Sequence, residues 1–104
     1  MDQDRTARAI RLRAEDTVAV VIQRVRKGDR VTITGPGAPV SVTAAEDIPC
    51  YHKIALSAVQ PGQSLLRNAI PIGAALAEIG AGDWVHSHNL ASGCSRRAGE
   101  GADG

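Results

Sequence analysis

The sequence predicts a small, mostly β domain, and three observations carry that prediction. Short runs rich in β-branched residues, such as Asp16-Thr-Val-Ala-Val-Val-Ile-Gln, have the composition of strands. One glycine-centred turn pattern recurs along the chain. The 104 residues include no Phe, one Tyr and one Trp, so Val, Ile, Leu and Ala must fill the core. Small domains bury a modest share of their surface, and such a core has little to spare.

The elements follow in order. Residues 16–23 read as a first strand. Arg30-Val-Thr-Ile-Thr alternates, which puts Val31 and Ile33 on one face of a second. Gly35-Pro36-Gly37 ends it. Ala38-Pro-Val-Ser-Val-Thr reads as a third strand, and Asp47-Ile48-Pro49 opens an irregular stretch. Lys53-Ile-Ala-Leu-Ser is a short apolar strand. Pro71-Ile-Gly-Ala-Ala-Leu-Ala-Glu-Ile is expected to carry short helical turns, because Ala and Leu favour helix.

The recurring pattern appears as Val25-Arg-Lys-Gly28-Asp29-Arg-Val31, Val59-Gln-Pro-Gly62-Gln63-Ser-Leu65 and Ile79-Gly-Ala-Gly82-Asp83-Trp-Val85. An apolar anchor precedes a Gly by three positions. Asp or Gln follows the Gly, and a further apolar residue starts a strand. Glycine supplies the positive φ that such a turn requires. The copies are unevenly spaced, so they mark turns of one folded-back domain and not a solenoid.

Charge divides the chain further. Residues 1–13 hold Arg5, Arg8, Arg11 and Arg13 against Asp2 and Asp4, and read as a flexible basic arm. Residues 14–90 are the expected domain. The small, polar, Gly-rich residues 91–104 read as a disordered tail. A net charge of +1 and two aromatic residues argue against nucleic-acid binding. No apolar run is long enough to span a membrane, and the polar start has no signal-peptide region, so a cytoplasmic protein is expected. Cys50 and Cys94 form no CxxC pair; Cys50 is expected buried and Cys94 falls in the tail. Tyr51 and Trp84 are expected as packing residues.

Three histidines are the candidate chemistry. His86 and His88 lie two apart, and on a strand they share a face. They can then chelate a divalent metal, present donors to an anion, or simply be a strand's polar face. Asn89 adds an amide that donates and accepts. His52 would complete three nitrogen ligands, and Lys53 is a compact cation suited to a substrate carboxylate.

Tyr51-His52-Lys53-Ile54-Ala55-Leu56, Val59-Gln-Pro-Gly62, Pro71-Ile72-Gly73 and Gly82-Asp83-Trp84-Val85-His86-Ser87-His88-Asn89 occur in that order. Over residues 14–90 the series resembles the SAF-type small domain of the altronate dehydratase family, with galactarate dehydratase and the sulfolactate sulfo-lyase small subunit as relatives. Two departures stand out. Tyr51 occupies a position where the family usually has Gly, and Arg67-Asn68-Ala69-Ile70 replaces a stretch that usually contains a Tyr-Gly pair.

The resemblance implies a β-clip fold and a lyase that eliminates water, or sulfite, from a hydroxylated carboxylate such as a sugar acid. It implies a divalent metal, iron or manganese, held mainly by a separate large catalytic subunit. His86 and His88 are then expected as catalytic residues or metal ligands, and His52, Lys53 and Asn89 as substrate contacts. A chain this small is also expected to oligomerise. The rival expectation is a free-standing SAF-type module that binds carbohydrate or protein without catalysis.

Overall fold

The computed structural model describes residues 6–92. The described residues form strands joined by turns, with no helix among them. The strands are β1 (Thr6–Ile10), β2 (Val18–Val21), β3 (Arg30–Thr34), β4 (Val40–Thr43), β5 (Lys53–Ala55), β6 (Ser64–Arg67), β7 (Ile70–Ala75), β8 (Trp84–Val85) and β9 (Leu90–Ser92). A six-stranded sheet has the order β4-β3-β1-β2-β5-β8, and a three-stranded sheet the order β6-β7-β9. The expected mostly β fold is what forms. Among the described residues no helix is long and apolar enough to cross a membrane.

Three expectations are corrected. Residues 6–13 are not a solvated arm. β1 lies inside the large sheet, parallel to β3 and antiparallel to β2, with Ala7 and Ala9 buried. Arg11 is buried as well, its Nε donating to the Pro36 carbonyl at 2.8 Å and its Nη2 to the Ala38 carbonyl. Residues 71–75, expected as helical turns, are strand. Pairing on both sides of β7, with β6 and with β9, outweighs the helix preference of alanine. Ala91 and Ser92, assigned to the tail, complete β9. Residues 1–5 and 93–104, with Cys94 and most of the expected tail, lie outside the described residues.

The turn pattern occurs four times, not three. Gly28, Gly62 and Gly82 take φ values of 92°, 87° and 93°. At the fourth copy, Ile48-Pro-Cys-Tyr51-His52-Lys-Ile54, Tyr51 holds the glycine position with φ 68°. The backbone bonds repeat at all four. The residue in the glycine position donates to a carbonyl (Ala44, Ala75, Ala55 and, for Tyr51, Val21), and that residue's own N–H returns a bond to the carbonyl following the turn. The anchors pair two by two, Val25 with Ile48 and Val59 with Ile79, and all four are buried. Two similar halves result.

Each half has its own core. Val21, Val25, Val31, Ile48 and Ile54 belong to one apolar cluster; Val18, Val59, Leu65, Ile79 and Val85 belong to the other. The alternating faces of β2 and β5 feed both: Ala19 and Ile54 enter the first, Val18 and Ala55 the second.

The fourth turn differs in a way that bears on function. In the other three, the side chain after the glycine position closes the turn by accepting a backbone N–H three residues back: Asp29 from Arg26 at 2.9 Å, Gln63 from Gln60 at 2.6 Å and Asp83 from Gly80 at 2.8 Å. In the fourth, that earlier residue is Pro49, which has no N–H to satisfy. Position 52 is thereby released from turn closure, and a histidine stands there.

Tyr51 in the left-handed region costs roughly 1 kcal/mol, and its 73% exposed side chain returns little packing. Tyr51→Gly is expected to raise stability by about 0.5–1 kcal/mol. A higher urea midpoint at unchanged m-value is the observable, and a lower midpoint would count against strain at this position.

Asp16 ties the two sheets together. Its carboxylate accepts the backbone N–H groups of Asn68 (2.8 Å) and Ala69 (2.7 Å), where positive φ values of 57° and 62° form the β6–β7 hairpin tip, and that of Arg13 at 3.1 Å. Burial acts to raise the carboxyl's pKa, but the backbone donors, Ala69 and Asn68 foremost, outweigh it and hold it below the ordinary value. A pKa depressed on folding means a contribution complete above the unfolded carboxylate range and lost as pH falls through the folded value. The stability gap between wild type and Asp16→Asn is therefore expected to be constant near neutrality and to close in acid. Urea titrations at pH 7 and pH 3 check this.

Candidate functional site

A tight turn follows β8. β8 stops at Val85, so His86 and His88 are not on a strand as expected; residues 86–89 form a turn into β9. Asn89 holds that turn. Its Oδ1 accepts the His86 backbone N–H and its Nδ2 donates to the Trp84 carbonyl, both at 2.9 Å. Asn89 is also buried. The Asn89 amide, expected as a substrate contact, bonds the backbone on both sides of His86 and so fixes the turn that carries it.

Trp84 sits at the centre of the rings. His86 stacks on it with centroids 5.1 Å apart and 12° between planes, and His88 tilts against it at 5.4 Å. His52 lies 5.6 Å from Trp84 and 5.1 Å from His86. This is where the released position of the fourth turn leads. β5 pairs with β8 through Ile54–Trp84 and Lys53–Val85, which brings the segment before β5 beside the indole. The three histidines do converge, around an indole and not along a strand face. His86 and His88 are exposed and His52 is half-buried.

One hydrogen bond sets the chemistry of His52. Trp84 Nε1–H donates to His52 Nδ1 at 3.1 Å. An indole can only donate, so Nδ1 carries the lone pair and the neutral ring bears its proton on Nε2. His52 thus presents an N–H donor away from the tryptophan. The same bond occupies a nitrogen that a metal would need. Among the described residues no group of three His, Cys, Asp or Glu side chains is placed to hold a metal ion. The expected three-histidine set does not fit such an ion on this chain alone.

A cavity of about 380 Å³ adjoins the cluster, lined by Lys53, Arg67, Ile72, His86, Ser87 and Leu90. His86 belongs to both cluster and cavity, and Lys53 faces the cavity as a substrate contact would. Arg67, which the sequence marks only as part of a departure from the family pattern, also lines it; its placement depends on β6 meeting the other sheet, which no local pattern encodes. Trp84 packs against the core of the first half as expected, whereas Tyr51 departs from a packing role. Trp84 organises the cluster, and Tyr51 is exposed. Cys50, expected buried, is exposed too and lines a different groove with Pro49 and Trp84.

The described residues thus form an all-β domain of paired turns with a cluster of histidines around Trp84. The profile of the altronate/galactarate dehydratase SAF domain matches residues 7–93, and the chain belongs to that family. It is 36% identical over 80 residues to the altronate dehydratase of Escherichia coli (strain K12) and 32% identical over 80 residues to that of Bacillus subtilis (strain 168). Those stretches cover 77% of this chain but only 15% of either relative. It is also 33% identical over 57 residues to (2R)-sulfolactate sulfo-lyase subunit alpha of Paracoccus pantotrophus, which is 55% of this chain and 85% of that subunit.

Proposed function

We propose that this chain is the small subunit of a lyase that removes water, or sulfite, from a hydroxylated carboxylate such as a sugar acid. A separate large catalytic subunit completes the site. The observation that carries this reading is the cluster of His52, Trp84, His86 and His88 beside a cavity with Lys53 in its wall. The likeness to a relative that is named as a subunit supports it.

Elimination requires a base for the proton α to the carboxylate, a stabiliser for the enolate and an acid for the leaving group. In this reading Lys53, in the cavity wall, holds the substrate carboxylate, and the outward Nε2–H of His52 is a second donor to it. His86 and His88, exposed and fixed against Trp84, serve as proton carriers. The divalent ion that the resemblance implies, iron or manganese, would polarise the carboxylate; we assign it mainly to donors of the large subunit.

The test is activity of the chain alone and of the complex co-purified with its large subunit, on a panel of hydroxy acids. The isolated chain is expected to be inactive and the complex active. Turnover by the isolated chain would refute the two-subunit reading. A complex inactive on every hydroxy acid would favour the binding-module reading instead.

A further inference from the structure

Two cations from different sheets face one cavity. Lys53 comes from β5 in the six-stranded sheet and Arg67 from the end of β6 in the three-stranded sheet. Both line the cavity beside His86, with Ser87 as a further polar group and no carboxylate among the described residues of the wall. Like charges sharing a concave surface repel one another and focus a positive potential into it. One anionic group answers one of them; two answer both.

Arg67 is also held in place from behind. The hairpin tip that follows it, Asn68-Ala69, is fixed by the Asp16 carboxylate through two backbone bonds. A guanidinium on a fixed support presents a planar fork suited to a carboxylate or sulfonate. The cavity volume, about 380 Å³, falls within the small-molecule range.

We infer that this cavity takes a hydroxy acid with an anionic group at each end, one end on Lys53 and the other on Arg67. Arg67 is then the residue that sets preference for a doubly anionic substrate over a singly anionic one. This rests on the reading of Lys53 as a carboxylate contact and adds the second charge to it.

The experiment titrates the full chain with galactarate and with gluconate, six-carbon hydroxy acids that carry two carboxylates and one. The His86 ring signals are followed by NMR. Galactarate is expected to bind about 10-fold more tightly, the order of one charge-assisted contact. Arg67→Gln is expected to bring galactarate down to the level of gluconate and to leave gluconate unchanged. Arg67→Lys keeps part of the difference. Arg67 is exposed, so an unchanged urea midpoint shows that the variant is folded. Equal affinities in the wild type, or a preference that survives Arg67→Gln, overturn the two-anion site and leave the carboxylate reading standing. If neither acid binds the wild-type chain, both fall.

Discussion

Gly82→Ala is expected to leave the domain unfolded, while Gly28→Ala leaves it folded with a modest loss. The two glycines occupy the same position of the same turn, with φ values of 93° and 92°. An alanine at either therefore bears the same cost of a left-handed backbone, roughly 1–2 kcal/mol. They differ in their surroundings. A Cβ at Gly28 meets nothing within 4 Å, whereas one at Gly82 overlaps the Thr43 carbonyl oxygen and crowds the Ala45 nitrogen.

That crowding cannot relax cheaply, because Gly82 is where the two halves are stitched together. Its carbonyl accepts the Ala45 N–H at 3.0 Å, and its N–H donates to the Ala55 carbonyl at 2.8 Å. Moving the turn away from Thr43 breaks bonds on both sides. A loss above about 4 kcal/mol is expected, comparable to the whole stability of a domain this size. Far-UV circular dichroism with urea titration reads both variants. Equal losses at the two positions would show that backbone conformation alone, and not the join between halves, sets the cost.

The same turns show what the sequence made legible and what it hid. Three copies were readable because glycine marks a positive φ. The fourth was hidden because Tyr51 adopts that conformation without being glycine, and Pro49 removes the need for the closing Asp or Gln. β3 was readable to its end residues from strict alternation. β1 was not, because its inward residues are the alanines Ala7 and Ala9, which carry little hydrophobic signal amid arginines. β7 was misread because its Ala-rich composition favours helix, whereas its strand state comes from long-range pairing. At the site, residue types alone pointed to the histidines and Lys53. The role of Trp84 was not readable, since it depends on which strand β8 pairs with.

Under the proposed lyase function, the largest loss of activity in the two-subunit complex is expected from His86→Ala. His86 alone among the histidines both stacks on Trp84 and lines the cavity. As a proton carrier its removal is expected to lower kcat by about 10²–10⁴-fold. An effect below threefold would make the stacked ring structural only.

His52 allows a finer test, because the indole fixes which of its nitrogens holds the proton. If His52 serves as a donor to the substrate, glutamine can replace it: the Gln oxygen accepts from Trp84 while its amide presents an N–H outward. His52→Gln is then expected to retain activity within about 10-fold of wild type, and His52→Ala to lose roughly 100-fold, mostly in KM. Trp84→Phe keeps an aromatic ring for His86 to stack on but removes the indole donor. The His52 ring is then free to place its proton on either nitrogen, and activity is expected to fall about 10-fold or more. Ring ¹⁵N shifts separate this from a packing defect, since they report the proton's location directly. A His52 that stays protonated on Nε2 in Trp84→Phe would show that another group sets the tautomer. If His52→Gln is as impaired as His52→Ala in kcat, His52 moves a proton itself, and the division of labour between binding at His52 and proton transfer at His86 must be redrawn.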